Sequence, residues 1–268
     1  MRFLLELFKE VAFEVRYAVQ SLVGSEEAAE VLQMGADGTP TKNIDDVAEK
    51  AAIKALKSSE IPMVVLSEER GRVILGEEPE YICVIDPLDG TLNATKGLPI
   101  FSTSIALAPY GDARTIEDLE FGLVMDLANG DIFEAKRGGG AEMNGKRIRT
   151  SQTEKLEEAA LSIYAKPGRL ESVESLIKKS RRIRCLGSVA LELCYVAMGG
   201  YEAMVDLRRV LKVTDIAAGK LIIEEAGGVV SDREGKILNY DIQSLDRVEI
   251  IASGNKKIHS SILSLVRP

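Results

Sequence analysis

Along the first twenty-two residues, apolar side chains return every three or four positions: Leu4, Leu7, Phe8, Val11, Val15, Ala18, Val19 and Leu22. That spacing predicts an amphipathic helix with one face turned to a core. A Gly-, Thr- and Pro-rich stretch over 35–40 ends it, and Asn43 is placed to cap a second helix running through Leu56. Short apolar runs then predict strands over 63–66, 81–85, 101–108, 119–127 and 131–135, with an Asn129-Gly130 turn joining the last two. A glycine-rich loop over 137–145 and a polar stretch over 150–158 follow. Beyond 159 the pattern alternates. Strands are expected over 161–164, 182–186, 203–206, 228–231 and 248–252, with helices near 170–178, 188–198, 215–225 and 256–266. Gly199-Gly200 and Gly227-Gly228 stand where helix C-caps belong. Antiparallel strands first and α/β alternation afterwards predict two stacked sheet-and-helix units. With no linker between them, 1–158 and 159–268 are expected to be halves of one compact unit.

Composition narrows what such a unit can do. The 268 residues are 46% hydrophobic and 28% charged, as in an ordinary globule. With 34 Lys and Arg against 42 Asp and Glu, the net charge of -8 gives no global attraction for nucleic acid. No run reaches the ~18 apolar residues of a membrane span. The N-terminal helix carries Arg2, Glu6, Lys9, Glu10 and Glu14, so neither a signal peptide nor a membrane partner is expected. The single histidine, His259, excludes multi-histidine zinc sites and would have to serve any Ser-His-Asp triad alone. Cys83, Cys185 and Cys194 form no CxxC pair and lie in apolar contexts, so they read as reduced, buried thiols of a cytoplasmic protein.

The chemistry concentrates in Val84-Ile85-Asp86-Pro87-Leu88-Asp89-Gly90-Thr91-Leu92-Asn93. An apolar strand delivers two aspartates, three positions apart, into a turn shaped by Pro87 and Gly90. Such aspartates can simply cap backbone amides. That account weakens once other acids are counted: Glu68 and Glu69 close another apolar strand, Asp215 opens a helix, and Asp45 lies in Thr41-Lys42-Asn43-Ile44-Asp45. Carboxylates at the ends of buried elements repel one another and lose hydration, so a cation should gather them. With no soft ligand nearby, the fitting ion is a hard one such as Mg²⁺. Divalent ions of this kind activate water and stabilise the oxygens of an in-line displacement at phosphorus. The amides of Gly90 and Thr91, at a helix start, suit a phosphoryl anion.

The run Asp86-Pro87-Leu88-Asp89-Gly90-Thr91-Leu92-Asn93 resembles the signature of the inositol monophosphatase family, whose superfamily also holds fructose-1,6-bisphosphatases and nucleotide 3'-phosphatases. The resemblance spans nearly the whole chain. Ser67-Glu68-Glu69 is similar to the family's acidic pair, Ala135 to Ala141 with Asn144-Gly145 to its glycine loop, Gly187-Ser188-Val189-Ala190 to its substrate loop, and Thr214-Asp215-Ile216-Ala217-Ala218-Gly219 to its second signature. The implied fold is a layered αβαβα sandwich, usually a homodimer. The implied roles follow residue by residue. Glu68, Asp86 and the Leu88 carbonyl would bind one metal, and Asp86, Asp89 and Asp215 a second, weaker one. Asp45 would touch a third and, with Thr91 and Glu69, orient the attacking water. Gly90 and Thr91 would cradle phosphate. Two or three Mg²⁺ ions are therefore expected, with Mn²⁺ as a substitute and lithium as a competitor at the weaker position.

Three residues depart from the pattern. Thr214 stands where the family often has Trp, and Ala94 where Phe commonly follows the asparagine; both read as packing changes. Arg208 stands seven residues before Asp215, where inositol-specific members carry a glutamate. An arginine can grip a second phosphate bidentately. Arg208, with Lys212, Arg169, Lys166 and Tyr164, is therefore expected to read the far end of a bisphosphate, with Ser188 and Val189 also facing substrate. This pattern resembles the archaeal-type branch that hydrolyses fructose 1,6-bisphosphate and inositol 1-phosphate, so the expected partner is a small phosphorylated sugar or polyol. The competing expectations are a phosphatase of NADP or 3'-phosphoadenosine 5'-phosphate, slightly disfavoured by the absence of Trp, and a non-catalytic protein that keeps the metal for stability. Other phosphate chemistries fail on the text. Gly145-Lys146 and Gly219-Lys220 lack the following Ser or Thr of a P-loop. No cysteine has an arginine six positions on, and two residues rather than one separate Asp86 from Asp89, which argues against an aspartyl-phosphate nucleophile.

Overall fold

A computed structural model of the chain describes residues 2–36, 38–111, 113–166 and 170–266. Seven described helices span Arg2–Val19 (α1), Asn43–Ser58 (α2), Thr91–Thr95 (α3), Glu174–Lys179 (α4), Val189–Ala197 (α5), Val213–Glu225 (α6) and Lys256–Val266 (α7). A small hairpin of Val31–Met34 (β1) and Pro40–Lys42 (β2) links the first two. The first large sheet contains Met63–Ser67 (β3), Gly71–Leu75 (β4), Tyr81–Asp89 (β5), Ser102–Pro109 (β6), Phe121–Asp126 (β7), Ile132–Lys136 (β8), Gly140–Met143 (β9) and Lys146–Arg147 (β10). Its order is β10-β9-β8-β7-β6-β5-β3-β4, antiparallel except where β3 runs parallel to β5. The second sheet, in order β12-β11-β13-β15-β14, uses Ala160–Tyr164 (β11), Arg182–Arg184 (β12), Ala203–Leu211 (β13), Val229–Ser231 (β14) and Val248–Ser253 (β15).

Side-chain alternation along the strands builds five layers. On β5, Cys83 and Ile85 face the core beneath α1 and α2, while Ile82 and Val84 face the opposite core with α5 and α6. On β13, Met204 points to α5 and α6, whereas Ala203 and Val205 join α4 and α7 on the far face. The order α1/α2, first sheet, α5/α6, second sheet, α4/α7 is an αβαβα sandwich. The middle layer is the driest. All but two residues of α6 are buried, because it has a sheet on each side. Gly219 lets it close on α5, where an added Cβ would stand 2.6 Å from Leu193 Cδ1. Gly122 does the same toward β7, where a Cβ would lie 3.0 Å from the Ala218 oxygen.

The expected elements are present, with corrections that have local causes. Lys42 rather than Asn43 occupies the N-cap of α2. The glycine-rich loop carries β9, and β10 follows directly after it. Strand β13 runs to Leu211 instead of stopping at Asp206, because it continues through a bulge. The hairpin β1–β2 gave no signal, since Val31, Leu32, Gln33 and Met34 are all exposed and show no alternation. Gly199 and Gly227 do sit in the left-handed conformation just beyond α5 and α6. Cys83 and Cys194 are buried, but Cys185 is exposed, because β12 ends before it at Arg184. His259 is buried and bonds Ser231 at 2.8 Å and Ser253 at 3.1 Å; burial holds it neutral with a pKa of about 4. It ties α7 to β14 and β15. No described helix is long and apolar enough to cross a membrane.

Candidate active site

The ends of β3 and β5 meet the N-termini of α2, α3, α5 and α6. The ladder between β5 and β6 slips between Asp86↔Ser104 and Asp89↔Ser102, so β5 holds one extra residue there. Pro87, which has no N–H to give the ladder, lies inside this bulge. The bulge separates its two aspartates. Asp86 joins Glu68 and Asp215, each offering an oxygen within 4.8 Å of the others. Asp89 turns to α5: its Oδ2 accepts from Ser188 Oγ (2.5 Å), Ala190 N (2.9 Å) and Ser102 Oγ (3.2 Å), and its Oδ1 from Val189 N (3.1 Å).

Two helix starts use the same device. Asp45 and Asp215 each stand three residues after a lysine N-cap and accept its backbone N–H, from Lys42 at 3.0 Å and from Lys212 at 2.9 Å. The positive end of each helix therefore supports a carboxylate at the site. Gly90, at φ +93°, begins α3; a Cβ there would meet the Ile100 oxygen at 2.9 Å. The turn brings Thr91 Oγ1 to donate to Asp45 Oδ1 at 2.8 Å. Glu69 accepts a hydrogen bond from Thr41, and Asp45, Glu68, Glu69, Asp86, Leu88 and Thr91 border one small recess.

Electrostatics at this recess are one-sided. Burial, then repulsion from Glu68, Asp89 and Asp215, pushes Asp86 well above the ordinary carboxylate range. Burial raises Asp89 and Asp215 to about 6 each, and Asp45 in the same direction. The ammonium of Lys212 enters this group and pairs with Glu68. Among the described residues, Lys212 and Lys42 bring too little positive charge for so many desolvated carboxylates. The donors are carboxylate oxygens with the Leu88 carbonyl beside them, a set that fits a hard divalent cation.

The other expected residues divide. Ser188 and Val189 spend their polar groups on Asp89. Lys212 lies in the acidic group rather than beside Arg208. The Tyr164 hydroxyl donates to buried Glu192, so only its ring is turned to the neighbouring pocket. Arg208 stacks on that ring, 4.6 Å from its centroid, and clasps Asp206 through Nε at 3.0 Å and 3.1 Å and through Nη2 at 2.5 Å. With Lys166 and Arg233 it lines an open pocket of about 300 Å³. Arg169 lies outside the described residues. The sequence reading missed Thr41, Ser102, Asp206 and Glu192. It also missed Glu49, one helical turn after Asp45, whose carboxyl burial raises to about 7 and Ser67 contacts at 2.5 Å. The four-residue spacing on an otherwise apolar face was its one legible sign.

The sequence model of the inositol monophosphatase family matches residues 3–268. The chain is 44% identical over 259 residues to a fructose-1,6-bisphosphatase/inositol-1-monophosphatase of Methanothermobacter thermautotrophicus, covering 94% of this chain and 92% of that one. It is 34% identical over 278 residues to a bifunctional NADP phosphatase/NAD kinase of Methanococcus maripaludis, covering 98% of this chain but 49% of that longer one. Its fold superposes on the crystal structure of an inositol monophosphatase–fructose 1,6-bisphosphatase with a TM-score of 0.85, at 29% identity and covering 97% and 98% of the two chains.

Proposed function

This chain belongs to the inositol monophosphatase family and is a phosphomonoester hydrolase; from that premise we propose that it hydrolyses fructose 1,6-bisphosphate and inositol 1-phosphate with Mg²⁺, or Mn²⁺ in its place. The observation that carries the reading is the convergence of Glu68, Asp86 and Asp215 beside the Thr91–Asp45 pair. Glu68, Asp86, Asp89, Asp215 and the Leu88 carbonyl would hold two ions, and Asp45 would touch a third. Bound there, the metal lowers the pKa of water and neutralises charge on the phosphoryl oxygens.

The protein's own groups supply the rest. The amides of Gly90 and Thr91, at the start of α3, hold the phosphoryl oxygens. Thr91 Oγ1 accepts an O–H from the attacking water while its own proton points to Asp45. As the water oxygen bonds to phosphorus, one of its protons passes to Thr91 Oγ1 while Thr91 gives its own to Asp45, and the P–O ester bond breaks opposite the attacking water, the departing alkoxide taking a proton from solvent water. Burial has already raised Asp45 toward proton affinity. Glu69, held by Thr41, borders the same recess and orders that water. Arg208 presents its remaining guanidinium edge to the phosphate on the far carbon, C6, of the sugar, which accounts for a bisphosphate better than for inositol 1-phosphate alone.

The relative from Methanococcus maripaludis keeps NADP in view as a second substrate class. Phosphate release is measured from fructose 1,6-bisphosphate, inositol 1-phosphate, NADP and 3'-phosphoadenosine 5'-phosphate, each with Mg²⁺ and with chelator. The first two should be hydrolysed with Mg²⁺ and none with chelator. Faster release from NADP replaces the substrate assignment, and hydrolysis that survives chelation contradicts the metal-dependent route.

A further inference from the structure

Helix α5 carries one acidic side chain, Glu192, on an otherwise largely apolar helix, and it is completely buried. Burying a carboxylate is costly unless its oxygens are bonded, and here both are. Oε1 accepts from Ser162 Oγ at 2.6 Å and Leu186 N at 3.1 Å; Oε2 accepts from the Tyr164 hydroxyl and from Gly187 N at 3.3 Å. The partners lead in two directions. Tyr164 is the platform on which Arg208 stacks. Leu186 and Gly187 begin the segment whose next three residues grip Asp89, and the Leu186 carbonyl also accepts from Asn93 Nδ2 at 2.7 Å.

We infer that Glu192 is a positioning residue that couples the two ends of the site, setting the Tyr164–Arg208 platform on one side and the orientation of Asp89 on the other. An apolar residue of similar size would fill the space and leave Tyr164, Leu186 and Gly187 without their common acceptor. The Arg208 arm rests on the distal-phosphate reading above; the Asp89 arm is measured without substrate.

The test is Glu192→Ala in the full chain, with Glu192→Gln as the conservative variant and Leu193→Ala as a destabilised control on the same helix. Calorimetric titration with Mg²⁺ alone should show binding weakened about tenfold in Glu192→Ala, in the range for residues that orient metal ligands. Glu192→Gln, which keeps the acceptor for Ser162 and Leu186, should recover most of that loss. At saturating Mg²⁺, KM for fructose 1,6-bisphosphate should rise about tenfold more than KM for inositol 1-phosphate, of the order expected when a charge-assisted contact is loosened. In an Arg208→Ala background this selective rise should vanish while the Mg²⁺ loss persists. Wild-type Mg²⁺ affinity in Glu192→Ala, or the same losses in Leu193→Ala, overturns the assignment. Should Arg208→Ala alone change both KM values equally, the distal-phosphate reading fails, and the Mg²⁺ titration then judges Glu192 by itself.

Discussion

Asp86→Asn loses turnover by at least about a thousandfold, the scale of several kcal/mol of transition-state charge stabilisation, while the metal-free protein becomes more stable. Both effects come from one position. Asp86 is buried against Glu68, Asp89 and Asp215, and its Oδ1 accepts from Leu88 N at 3.0 Å. Asparagine keeps that acceptor and the shape but removes the charge that repels its neighbours and would bind metal. The sign with pH follows. Asp89 and Asp215 have folded pKa values raised to about 6 above an unfolded 3.8. Their stabilising contribution is full below the unfolded value and is lost as pH rises through about 6. Metal-free wild type should therefore melt at lower temperature at pH 8 than at pH 5. Mg²⁺ should offset the loss, and Asp86→Asn should reduce both the pH slope and the response to Mg²⁺. Thermal unfolding at the two pH values, with Mg²⁺ and with chelator, checks this beside the rate. A variant with undiminished turnover removes Asp86 from the chemistry.

Removing the Arg208 guanidinium raises KM for fructose 1,6-bisphosphate by about 10–100-fold, the worth of one or two hydrogen bonds to a charged group, and leaves inositol 1-phosphate nearly unchanged. The direct variant, Arg208→Ala, carries a complication visible in the structure. Asp206 is fully buried and depends on Arg208 for its side-chain partners, so truncation strands a charge. The double variant Asp206→Asn/Arg208→Ala removes the stranded charge and isolates binding from folding. Arg208→Lys separates charge from geometry, since an ammonium cannot offer two parallel N–H groups while stacked on Tyr164. Lysine should recover only part of the lost affinity. Equal KM changes for the two substrates would take Arg208 out of distal recognition.

The acids were legible in the sequence because each ends an apolar run or opens a helix, and a buried strand has few other reasons to finish in Asp-Pro-Leu-Asp. The layer order was implied by family resemblance more than by pattern. What escaped was direction. Arg208 and Lys212 lie four residues apart in a basic stretch and read as one cluster. In the folded chain the ladder between β13 and β15 slips between Asp206 and Leu211, with Arg209 in the left-handed region at φ 54°. That bulge turns Arg208 onto Tyr164, while the start of α6 sends Lys212 to Glu68. The segment of Ser188 and Val189 resembles a substrate loop, yet a helix start beside a buried carboxylate satisfies its amides there first. Glu192 was hidden for the opposite reason: a single acid in an apolar helix has no periodicity to mark it.

A divalent cation is expected among the carboxylates of Glu68, Asp86 and Asp215. The direct measurement is an anomalous difference map from crystals of the full chain equilibrated with Mn²⁺. The expected result is a peak bounded by Glu68, Asp86 and Asp215. A map with no peak there contradicts the metal-dependent route.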